Sequence, residues 1–259
     1  MARLQPIESL SLNKQQEEIL AAIEDCFSAH RTLLAGRKAL VTSGPTQESI
    51  DPVRYIANRS SGKQGHAIAG ALAGLGADTT LVSGPVAIPV PPGVRLVPVE
   101  TAEQMLAACE AALPVDVAVC AAAVSDWRVA AQANQKLKKS VNGMPEIRLV
   151  ENPDILKTLS QPGARRPPLV VGFAAETEKV LEHAAAKRQR KGCDWIVAND
   201  VSPGTDVMGG DNNTIHLITE MGADSWTRMT KTQVAERLAL AIADHFNGSG
   251  AVPASEQES

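Results

Sequence analysis

The chain has 259 residues with a formal net charge of −4, and 44% of its side chains are hydrophobic but only 3% aromatic, which is typical of a soluble globular protein with an aliphatic core. The acidic balance argues against a general role in binding nucleic acid, and the lack of an apolar run of about eighteen residues or of a signal-peptide core argues against a membrane protein. The four cysteines are far apart and form no Cys-x-x-Cys pair, so we predict a cytoplasmic protein with incidental thiols.

Three segments are predicted along the chain. Residues 1–36 are polar and helix-prone and would form an N-terminal helical extension whose apolar stripe needs a packing surface. Residues 37–248 carry the regular patterns of one domain. Residues 249–259 have the composition of a disordered tail.

Strand-type and helix-type runs alternate through the central segment, which predicts an α/β fold: a doubly wound, mostly parallel, Rossmann-like sheet with helices on both faces. The aliphatic bias fits strands that are buried on both sides. The strand-type runs are Lys38–Thr42, Thr79–Ser83, Arg95–Val99, Val115–Cys120, Leu169–Phe173, Trp195–Ala198 and Thr214–Ile218. The helix-type runs are Gly62–Leu75, Ala102–Ala112, Thr177–Lys191 and Lys231–Phe246.

Two segments interrupt this alternation. Val86–Gly93 is too rich in proline for a central strand or a helix and is predicted to be an extended surface connection. Residues 125–143 are polar and basic without a clear period, which favours a lid or dimerisation segment. Further on, Asn152 and Pro153 have the pattern of a helix start, with Asn152 as the cap.

The stretch Thr42–Gly65 is the most informative part of the sequence. It joins the first predicted strand to the first predicted helix, which is where open α/β sheets bind ligands. A nucleotide-binding turn needs few residues, yet about fourteen separate the Gly-Pro-Thr corner (residues 44–46) from the helix start Ser60–Gly65. A loop of that length in a compact domain is commonly functional or disordered, and its mixture of apolar and hydrogen-bonding side chains favours function.

Several side chains near these strand ends have a possible role in chemistry. For each of them, a purely structural role is the alternative. The glycines of Ser60–Gly65 would cradle phosphate or simply permit close packing. Arg54 would bind a carboxylate or phosphate and Asn58 would donate to an oxyanion, although both types are common in turns and on surfaces. Asp126 would accept from a base or ribose, hold Mg²⁺ through water, or cap a turn. Phe173 would stack on a base or fill the core.

Positive charge is clustered at Lys136, Lys138 and Lys139, and again within Lys187–Lys191. Such clusters on an acidic protein suit a small anionic ligand, or else they form solvated faces. The histidines show no metal-binding spacing, and the sequence lacks the motifs of zinc hydrolases and α/β-hydrolases.

The order and spacing of six motifs resemble those of phosphopantothenoylcysteine synthetase, a ligase of coenzyme A biosynthesis, over about residues 34–248. The motifs are LVTSGPTQESIDPVRYIANRSSGKQG, AAAVSDWRV, KLKK, VENPDIL, VVGFAAET and IVANDVS. The long proline-containing loop before Ser-Ser-Gly-Lys is far more specific than a glycine fingerprint. The resemblance to the bacterial type implies that CTP activates the carboxylate of 4′-phosphopantothenate as an acyl-cytidylate with loss of pyrophosphate, and that cysteine then displaces CMP.

By the same resemblance, Asn58 would stabilise the acyl-cytidylate, Arg54 would belong to the phosphopantothenate loop, and Lys136 would approach the triphosphate from the lid. Asp126 would be the acid of the nucleotide site and would hold Mg²⁺ (or Mn²⁺) through water. The triphosphate would be held by Gly44, Thr46, Ser60, Ser61, Gly62 and Gly65. Further nucleotide contacts would come from Cys120, Ala121, Ala122, Pro153, Asp154, Ile155, Leu156, Phe173, Lys187 and Lys191.

The resemblance also implies a homodimer, small-molecule substrates and no flavin. In most bacteria this synthetase is fused to a flavin-dependent decarboxylase, and the residues before Leu34 are too few to form that domain. We expect no decarboxylase activity, while a stand-alone synthetase and one half of a fusion both stay open. The preference for CTP over ATP rests on the resemblance alone.

Two other classes of protein are the alternatives. A nicotinamide-dependent reductase is disfavoured because the single tyrosine of the chain, Tyr55, has no Tyr-x-x-x-Lys partner. A regulatory nucleotide-binding module without chemistry would not explain Asn58 together with the lid lysines.

Overall fold

The computed structural model describes residues 32–138, 146–201 and 210–248. Most of the predicted N-terminal extension, the predicted tail and Lys139 of the predicted lid lie outside these ranges. At the start of the described chain, Leu34 is buried in the core, and its N–H donates to the carbonyl of Leu75 at 2.8 Å.

Twelve strands and five helices lie in the described ranges. The strands are β1 (Lys38–Ser43), β2 (Gln47–Asp51), β3 (Arg54–Ala57), β4 (Asp78–Ser83), β5 (Val94–Pro98), β6 (Val117–Cys120), β7 (Trp127–Val129), β8 (Leu149–Glu151), β9 (Leu169–Glu176), β10 (Trp195–Asp200), β11 (Asn212–Thr219) and β12 (Gly222–Thr230). The helices are α1 (Lys63–Gly74), α2 (Ala102–Ala112), α3 (Ile155–Leu159), α4 (Val180–Lys191) and α5 (Lys231–Asn247). Every strand-type and helix-type run predicted from the sequence is confirmed, with bounds shifted by at most three residues.

Eight strands form one sheet in the order β12-β11-β10-β9-β6-β1-β4-β5. The six strands from β10 to β5 are parallel, while β11 and β12 add an antiparallel edge. This confirms the predicted doubly wound, mostly parallel sheet. The chain leaves β1 toward β4 and later crosses back to β6 on the other side of β1, so the gap between β1 and β6 is a topological switch point. Ligands of open α/β sheets bind outside the carboxyl ends of the strands at such a point.

Helices cover both faces of the sheet, as neighbouring residues of β1 show. Val41 shares a buried cluster with Ile68 of α1 and Leu238 of α5 on one face. Leu40 shares another with Met105 of α2 and with α3 on the opposite face, where α4 also packs. Since successive side chains of a strand point to opposite faces, a strand buried on both must be apolar throughout, which is the pattern that the sequence showed.

Asn152 does not cap a helix, which corrects the predicted helix start. Helix α3 begins at Ile155, and the side chain of Asp154 caps it by accepting from the N–H of Lys157 at 3.0 Å. The Asn152 amide instead donates to the carbonyl of Ser125 at 2.8 Å. Asn152 thus ties the segment after β8 to the segment before β7, so a long-range bond replaces the local one.

The structure also contains strands that the sequence did not predict. Strands β2 and β3 pair antiparallel inside the Thr42–Gly65 stretch, and β7, within the first part of the predicted lid, pairs with β8. Each has three to five residues, too few for an alternation to stand out. Strand β12 was missed because Trp226 is its only buried side chain. The connection Val86–Gly93 has neither helix nor strand, as predicted.

Candidate active site

A cavity of about 870 Å³ opens at the switch point, between the carboxyl ends of β1 and β6. Most of the site residues predicted from the sequence line it: Asn58, Ser60, Ser61, Gly62, Gly65, Cys120, Ala121, Ala122, Asp126, Pro153, Asp154, Ile155, Leu156, Phe173, Lys187 and Lys191. Four predicted site residues are not among those that line it in the described structure: Gly44, Thr46, Arg54 and Lys136.

The amino end of α1 is open to this cavity. Gly62 precedes the helix in the left-handed conformation (φ 73°), and no side chain caps the first turn. The first hydrogen bond of the helix runs from the N–H of His66 to the carbonyl of Gly62 at 3.1 Å. The N–H groups of Lys63, Gln64 and Gly65 therefore have no partner within the helix. An open helix start without an acidic residue in its first turn favours an anion.

Gly65 lets this helix approach β1 closely. A Cβ atom on Gly65 would lie 2.4 Å from Oγ of Ser43 and 3.1 Å from its Cα. The Ser43 hydroxyl donates to the carbonyl of Gly62 at 2.9 Å and lies 3.0 Å from Nδ1 of His66. Burial lowers the pKa of His66, which favours the neutral ring. Together these groups fix the position of Gly62 beneath the cavity.

The Gly-Pro-Thr corner supports the cavity from behind. Thr46 is fully buried, its N–H donates to the carbonyl of Ala123 at 3.3 Å, and its Oγ1 accepts from the N–H of Ser125 at 3.0 Å. Gly44 is left-handed (φ 72°), and a Cβ there would lie 2.9 Å from the carbonyl oxygen of Gly84. The corner therefore clamps the ends of β1 and β6 together. Direct contact of Gly44 or Thr46 with a triphosphate stays a prediction.

The loop inserted before α1 is a hairpin held by an ion pair between a buried carboxylate and a partly exposed guanidinium. Asp51 is buried, and Arg54 donates to its Oδ2 from Nε at 3.0 Å and from Nη2 at 2.5 Å. The Arg54 guanidinium, together with N–H donors that include those of Val53 and Leu137, holds the pKa of Asp51 well below its usual range despite burial. In the described structure the guanidinium fork of Arg54 thus engages Asp51 of its own hairpin.

The same ion pair fastens the first part of the predicted lid. The N–H of Leu137 donates to Oδ2 of Asp51 at 3.1 Å, and its carbonyl accepts from Nη2 of Arg54 at 3.0 Å. Lys136 precedes this anchored residue, and its side chain is exposed. The structure therefore brings Lys136 and Arg54 into one neighbourhood outside the cavity lining.

Asn58 stands where the hairpin returns to the cavity. Its Nδ2 donates to the carbonyl of Val124 at 2.9 Å, so it bridges the loop before α1 and the segment after β6. Both residues line the cavity. Asn58 is the predicted catalytic residue that the structure places at the cavity.

Two lysines from α4 reach one end of the cavity. Nζ of Lys187 donates to the carbonyl of Phe173 at 2.8 Å, and burial lowers the pKa of Lys187 despite the carboxylate of Glu176 nearby. Lys191 forms an ion pair with Asp154. Partial burial disfavours the charged form of Asp154, but Lys191 and the N–H of Lys157 outweigh it and keep the pKa of Asp154 below its ordinary value.

A narrow apolar wall lies between these lysines and β6. A Cβ on Gly172 would lie 2.5 Å from Cδ2 of Leu156, so a larger residue in that strand position would displace the Leu156 side chain. Burial is the main reason why the pKa of the Cys120 thiol is raised well above its ordinary value. The thiol is therefore neutral and forms part of the wall. Small and apolar groups beside Lys187 and Lys191 suit a planar base with polar edges.

Three carboxylates at the cavity are candidate metal ligands. Asp126 is exposed and lines the cavity, as do Glu151 and Asp154. Within residues 32–138, 146–201 and 210–248, no group of three or more His, Cys, Asp or Glu side chains could hold a metal ion. Mg²⁺ commonly binds one or two carboxylates together with substrate phosphates and water. Asp126 fits that role, and the protein alone does not supply a complete metal cage in this part of the chain.

The cavity is also lined by residues that were not predicted from the sequence, among them Asn199, Val201, Asn213 and Lys231. Lys63 and Gln64 line it as well, and both lie within the helix start Ser60–Gly65 that the sequence singled out. The other four come from β10, β11 and α5 or their ends, and nothing in a single sequence places these segments beside α1.

The fold and the cavity define a class of protein: a doubly wound α/β domain with an anion-favouring, lysine-flanked cavity at its switch point. Comparison with known proteins gives the family. Residues 34–246 match the DNA/pantothenate metabolism flavoprotein C-terminal domain, and the chain belongs to this family. This confirms the resemblance drawn from the sequence motifs.

Curated relatives in this family are bifunctional. The chain is 41% identical over 233 residues to the coenzyme A biosynthesis bifunctional protein CoaBC of Haemophilus influenzae, covering 90% of this chain and 57% of that protein. It is 49% identical over 186 residues to the protein of the same name from Escherichia coli, covering 71% and 46% of the two chains. The chain thus spans about half the length of the curated relatives that it matches.

Solved structures agree with the family. A crystal structure of the C-terminal domain of coenzyme A biosynthesis bifunctional protein CoaBC superposes with a TM-score of 0.70 at 36% identity, covering 84% of this chain and 99% of that one. The DNA/pantothenate metabolism flavoprotein of Streptococcus pneumoniae has a TM-score of 0.68 at 23% identity, covers 81% of this chain and 100% of that one, and shows the shared fold. None of the helices in the described ranges has the length and apolar character needed to cross a membrane.

Proposed function

We propose that the chain is a phosphopantothenate–cysteine ligase that uses CTP and Mg²⁺ and proceeds through an acyl-cytidylate. The observation that carries the proposal is the cavity itself: it combines an open helix start, Asn58 and several lysines at the switch point of a domain that belongs to this family. The CoaBC names of the relatives place those proteins in coenzyme A biosynthesis. The synthetase half of that chemistry is what this domain would perform.

The nucleotide would lie across the switch point. Its base would occupy the apolar wall near Phe173, with Lys187 and Lys191 at the edge of the base and ribose, and its phosphates would extend toward the N–H groups at the start of α1. The anion-favouring helix start then stabilises the departing pyrophosphate. The preference for CTP over ATP is part of the proposal. The side chains of Lys187 and Asp154 already bind other groups of the protein, so the base would be recognised mainly by backbone groups.

Activation of the acid requires two anions to meet. The carboxylate oxygen of 4′-phosphopantothenate attacks the α-phosphorus of CTP, and pyrophosphate leaves with the bonding electron pair. The Asn58 amide would orient the acyl-cytidylate and donate to the oxygen on which charge develops. A magnesium ion beside Asp126 would supply charge screening when bound.

Ligation then requires a nucleophilic amine. The cysteine nitrogen forms a bond to the acyl carbon, the acyl–oxygen bond to CMP breaks with its electron pair leaving on the phosphate oxygen, and the nitrogen gives up one proton to solvent. The products are 4′-phosphopantothenoylcysteine and CMP. The protein contributes mainly position and electrostatic stabilisation to both steps.

A homodimer is part of the proposal, and exposed apolar side chains support it. Val53 and Tyr55 on the β2–β3 hairpin are 59% and 54% exposed, and Trp127 of β7 is 53% exposed. Strands β2 and β7 contact each other, so these side chains share one region beside the cavity. A second copy of the chain would cover that region.

One assay tests the proposed function. The protein is mixed with MgCl₂, CTP, 4′-phosphopantothenate and cysteine, and pyrophosphate and CMP are followed with time. We expect one pyrophosphate and one CMP for each ligated product. The absence of pyrophosphate with both CTP and ATP would contradict the ligase.

A further inference from the structure

The part of the cavity between the start of α1 and the start of α5 contains two buried amide oxygens without partners in the described structure. We call it the lysine–amide end and define it by Lys63, Gln64, Asn213 and Lys231, which all line the cavity. Asn213 is 3% exposed, and neither its Oδ1 nor Oε1 of Gln64 accepts a hydrogen bond in the structure as described. Buried polar atoms are nearly always paired, so such oxygens call for an explanation.

The geometry fixes which atom of Gln64 needs a partner. Its Nε2 donates to the carbonyl of Lys231 at 3.0 Å, so exchanging the two amide atoms would set two carbonyl-type oxygens against each other. Oε1 of Gln64 is therefore an acceptor without a donor. Oδ1 of Asn213 is a second such acceptor, and the two oxygens together favour a ligand with N–H or O–H groups.

The lysine–amide end also carries positive charge, which favours an anionic ligand. Lys63 forms an ion pair with Asp211 at 2.6 Å, but the Asp211 side chain is 81% exposed. Lys231 is half-buried, and burial first and the charge of Lys63 next lower its pKa.

We infer that the lysine–amide end is the subsite for the α-amino acid, with Lys63 and Lys231 facing its carboxylate and the amide oxygens of Gln64 and Asn213 facing its amine. This inference rests on the proposed function and assigns the place of the cysteine substrate within it. A triphosphate supplies no N–H or O–H donor and would leave both amide oxygens unpaired. A zwitterionic amino acid satisfies both demands within a few ångströms, because its two charged groups share one carbon.

Amide oxygens suit the chemistry better than carboxylates would. The amine must lose a proton before it attacks the acyl carbon. An amide oxygen accepts a hydrogen bond from a neutral amine, whereas a carboxylate stabilises the ammonium form and raises its pKa. Lys63 and Lys231 act in the same direction, since nearby positive charge lowers the pKa of an amine.

The decisive variant is Asn213→Leu, with Asn212→Leu as the matched control. Asn212 precedes Asn213 on β11, points to the opposite face, and is not among the residues that line the cavity. For Asn213→Leu we expect the KM for cysteine to rise about tenfold or more, because an oxygen that binds the amine is lost. The control keeps the wild-type KM.

Two further readouts separate this role from others. Exchange of labelled pyrophosphate into CTP needs 4′-phosphopantothenate but no cysteine, and its KM for CTP should stay within about twofold of wild type in Asn213→Leu. The melting temperature should not fall, because leucine removes an unpaired buried oxygen. An altered KM for CTP or 4′-phosphopantothenate with an unchanged KM for cysteine would overturn the inference, as would a lower melting temperature with no change in the KM for cysteine.

Asn213→Asp provides a second test that does not depend on tolerance of leucine. It keeps an oxygen in place, so cysteine should still bind, but the carboxylate should shift the pH–rate profile of ligation to higher pH. An unshifted profile would contradict the placement of the amine. Wild-type protein that performs neither exchange nor ligation would instead refute the proposed function, so the two failures are distinct.

The carboxylate is tested with cysteamine, which is cysteine without that group. Wild-type protein should prefer cysteine strongly in kcat/KM, and Lys231→Met should reduce the preference about tenfold by lowering the rate with cysteine alone. An equal loss with both amines would remove Lys231 from the amino-acid subsite. Loss of pyrophosphate exchange in Lys231→Met would assign it to the triphosphate and overturn the inference.

Discussion

Asn58 joins two walls of the cavity through a single hydrogen bond to the carbonyl of Val124. The Nδ2 group has a second N–H that can donate to a ligand, and its position at the exit of the β2–β3 hairpin makes Asn58 the meeting point of the acid and the nucleotide in the proposed reaction. An amide can donate to a developing negative charge without carrying a charge itself. Replacement by a carboxylate changes that property while nearly preserving the shape of the side chain.

We expect Asn58→Asp to lower kcat for pyrophosphate release about 10²- to 10³-fold, as for loss of one donor to an oxyanion. Asn58 is exposed, so the free energy of unfolding should fall by only about 1 kcal/mol. Steady-state kinetics and urea unfolding measure the two effects. Asn247→Asp is the control, because the Asn247 amide also donates to a backbone carbonyl, that of Leu33 at 3.3 Å, but outside the cavity. Full activity of Asn58→Asp would remove Asn58 from the mechanism.

At the scale of elements, the cavity depends on how closely α1 lies against β1. The contact is set by the absence of a side chain at Gly65, since a Cβ there would lie 2.4 Å from Oγ of Ser43. Ser43 cannot move freely, because its hydroxyl bonds the carbonyl of Gly62. Any displacement of the helix would therefore also move the N–H groups that face the cavity.

Gly65→Ala should lower the free energy of unfolding by about 1–3 kcal/mol, the usual cost of overpacking a close contact. Gly74→Ala is a matched control in the same helix, where a Cβ would meet no atom within 4 Å. There the substitution should raise stability by up to about 1 kcal/mol, because alanine is the better helix former. Urea unfolding of both variants measures the difference. Equal effects of the two substitutions would show that close docking of α1 is not required.

The elements that the sequence predicted and those that it missed differ in where their stability comes from. Helix α1 and strand β1 bury apolar residues at the spacing of their own period, so one sequence suffices to find them. The hairpin of β2 and β3 is instead held by Asp51, which bonds Arg54 and also Leu137 of a distant segment. Similarly, Asn152 was read as a local cap but bonds Ser125. Polar contacts between distant segments leave no period in the sequence.

At the scale of the whole molecule, the features that the sequence predicted also differ from those that it missed. The mostly parallel sheet and a ligand site between the first strand and the first helix followed from the alternation of runs, and most of the predicted site residues do line the cavity. The lysine–amide end could not be predicted, because α5 and the start of β11 are brought beside α1 by tertiary contacts between distant segments, such as the bond from Gln64 to Lys231. Arg54 and Lys136 were grouped by motif with the cavity, but in the described structure they lie near each other outside its lining. Their predicted roles therefore raise the question of a second subunit.

Lys136 is exposed next to Leu137, which the Asp51–Arg54 pair anchors, and the exposed Val53, Tyr55 and Trp127 lie in the same region of the surface. We therefore expect Lys136 to serve the cavity of the second subunit in the proposed homodimer.

Lys136→Gln should slow pyrophosphate exchange about tenfold or more, because a charge that stabilises the triphosphate is lost. Co-expression of Lys136→Gln chains with Asn58→Asp chains should then restore about a quarter of wild-type activity, since half of randomly paired dimers contain one complete cavity. Differently tagged chains allow the mixed dimer to be purified and assayed alone. Activity no higher than the mean of the two variants would place Lys136 in the cavity of its own subunit. An unchanged rate of pyrophosphate exchange in Lys136→Gln would show that the lysine cluster is only a solvated surface.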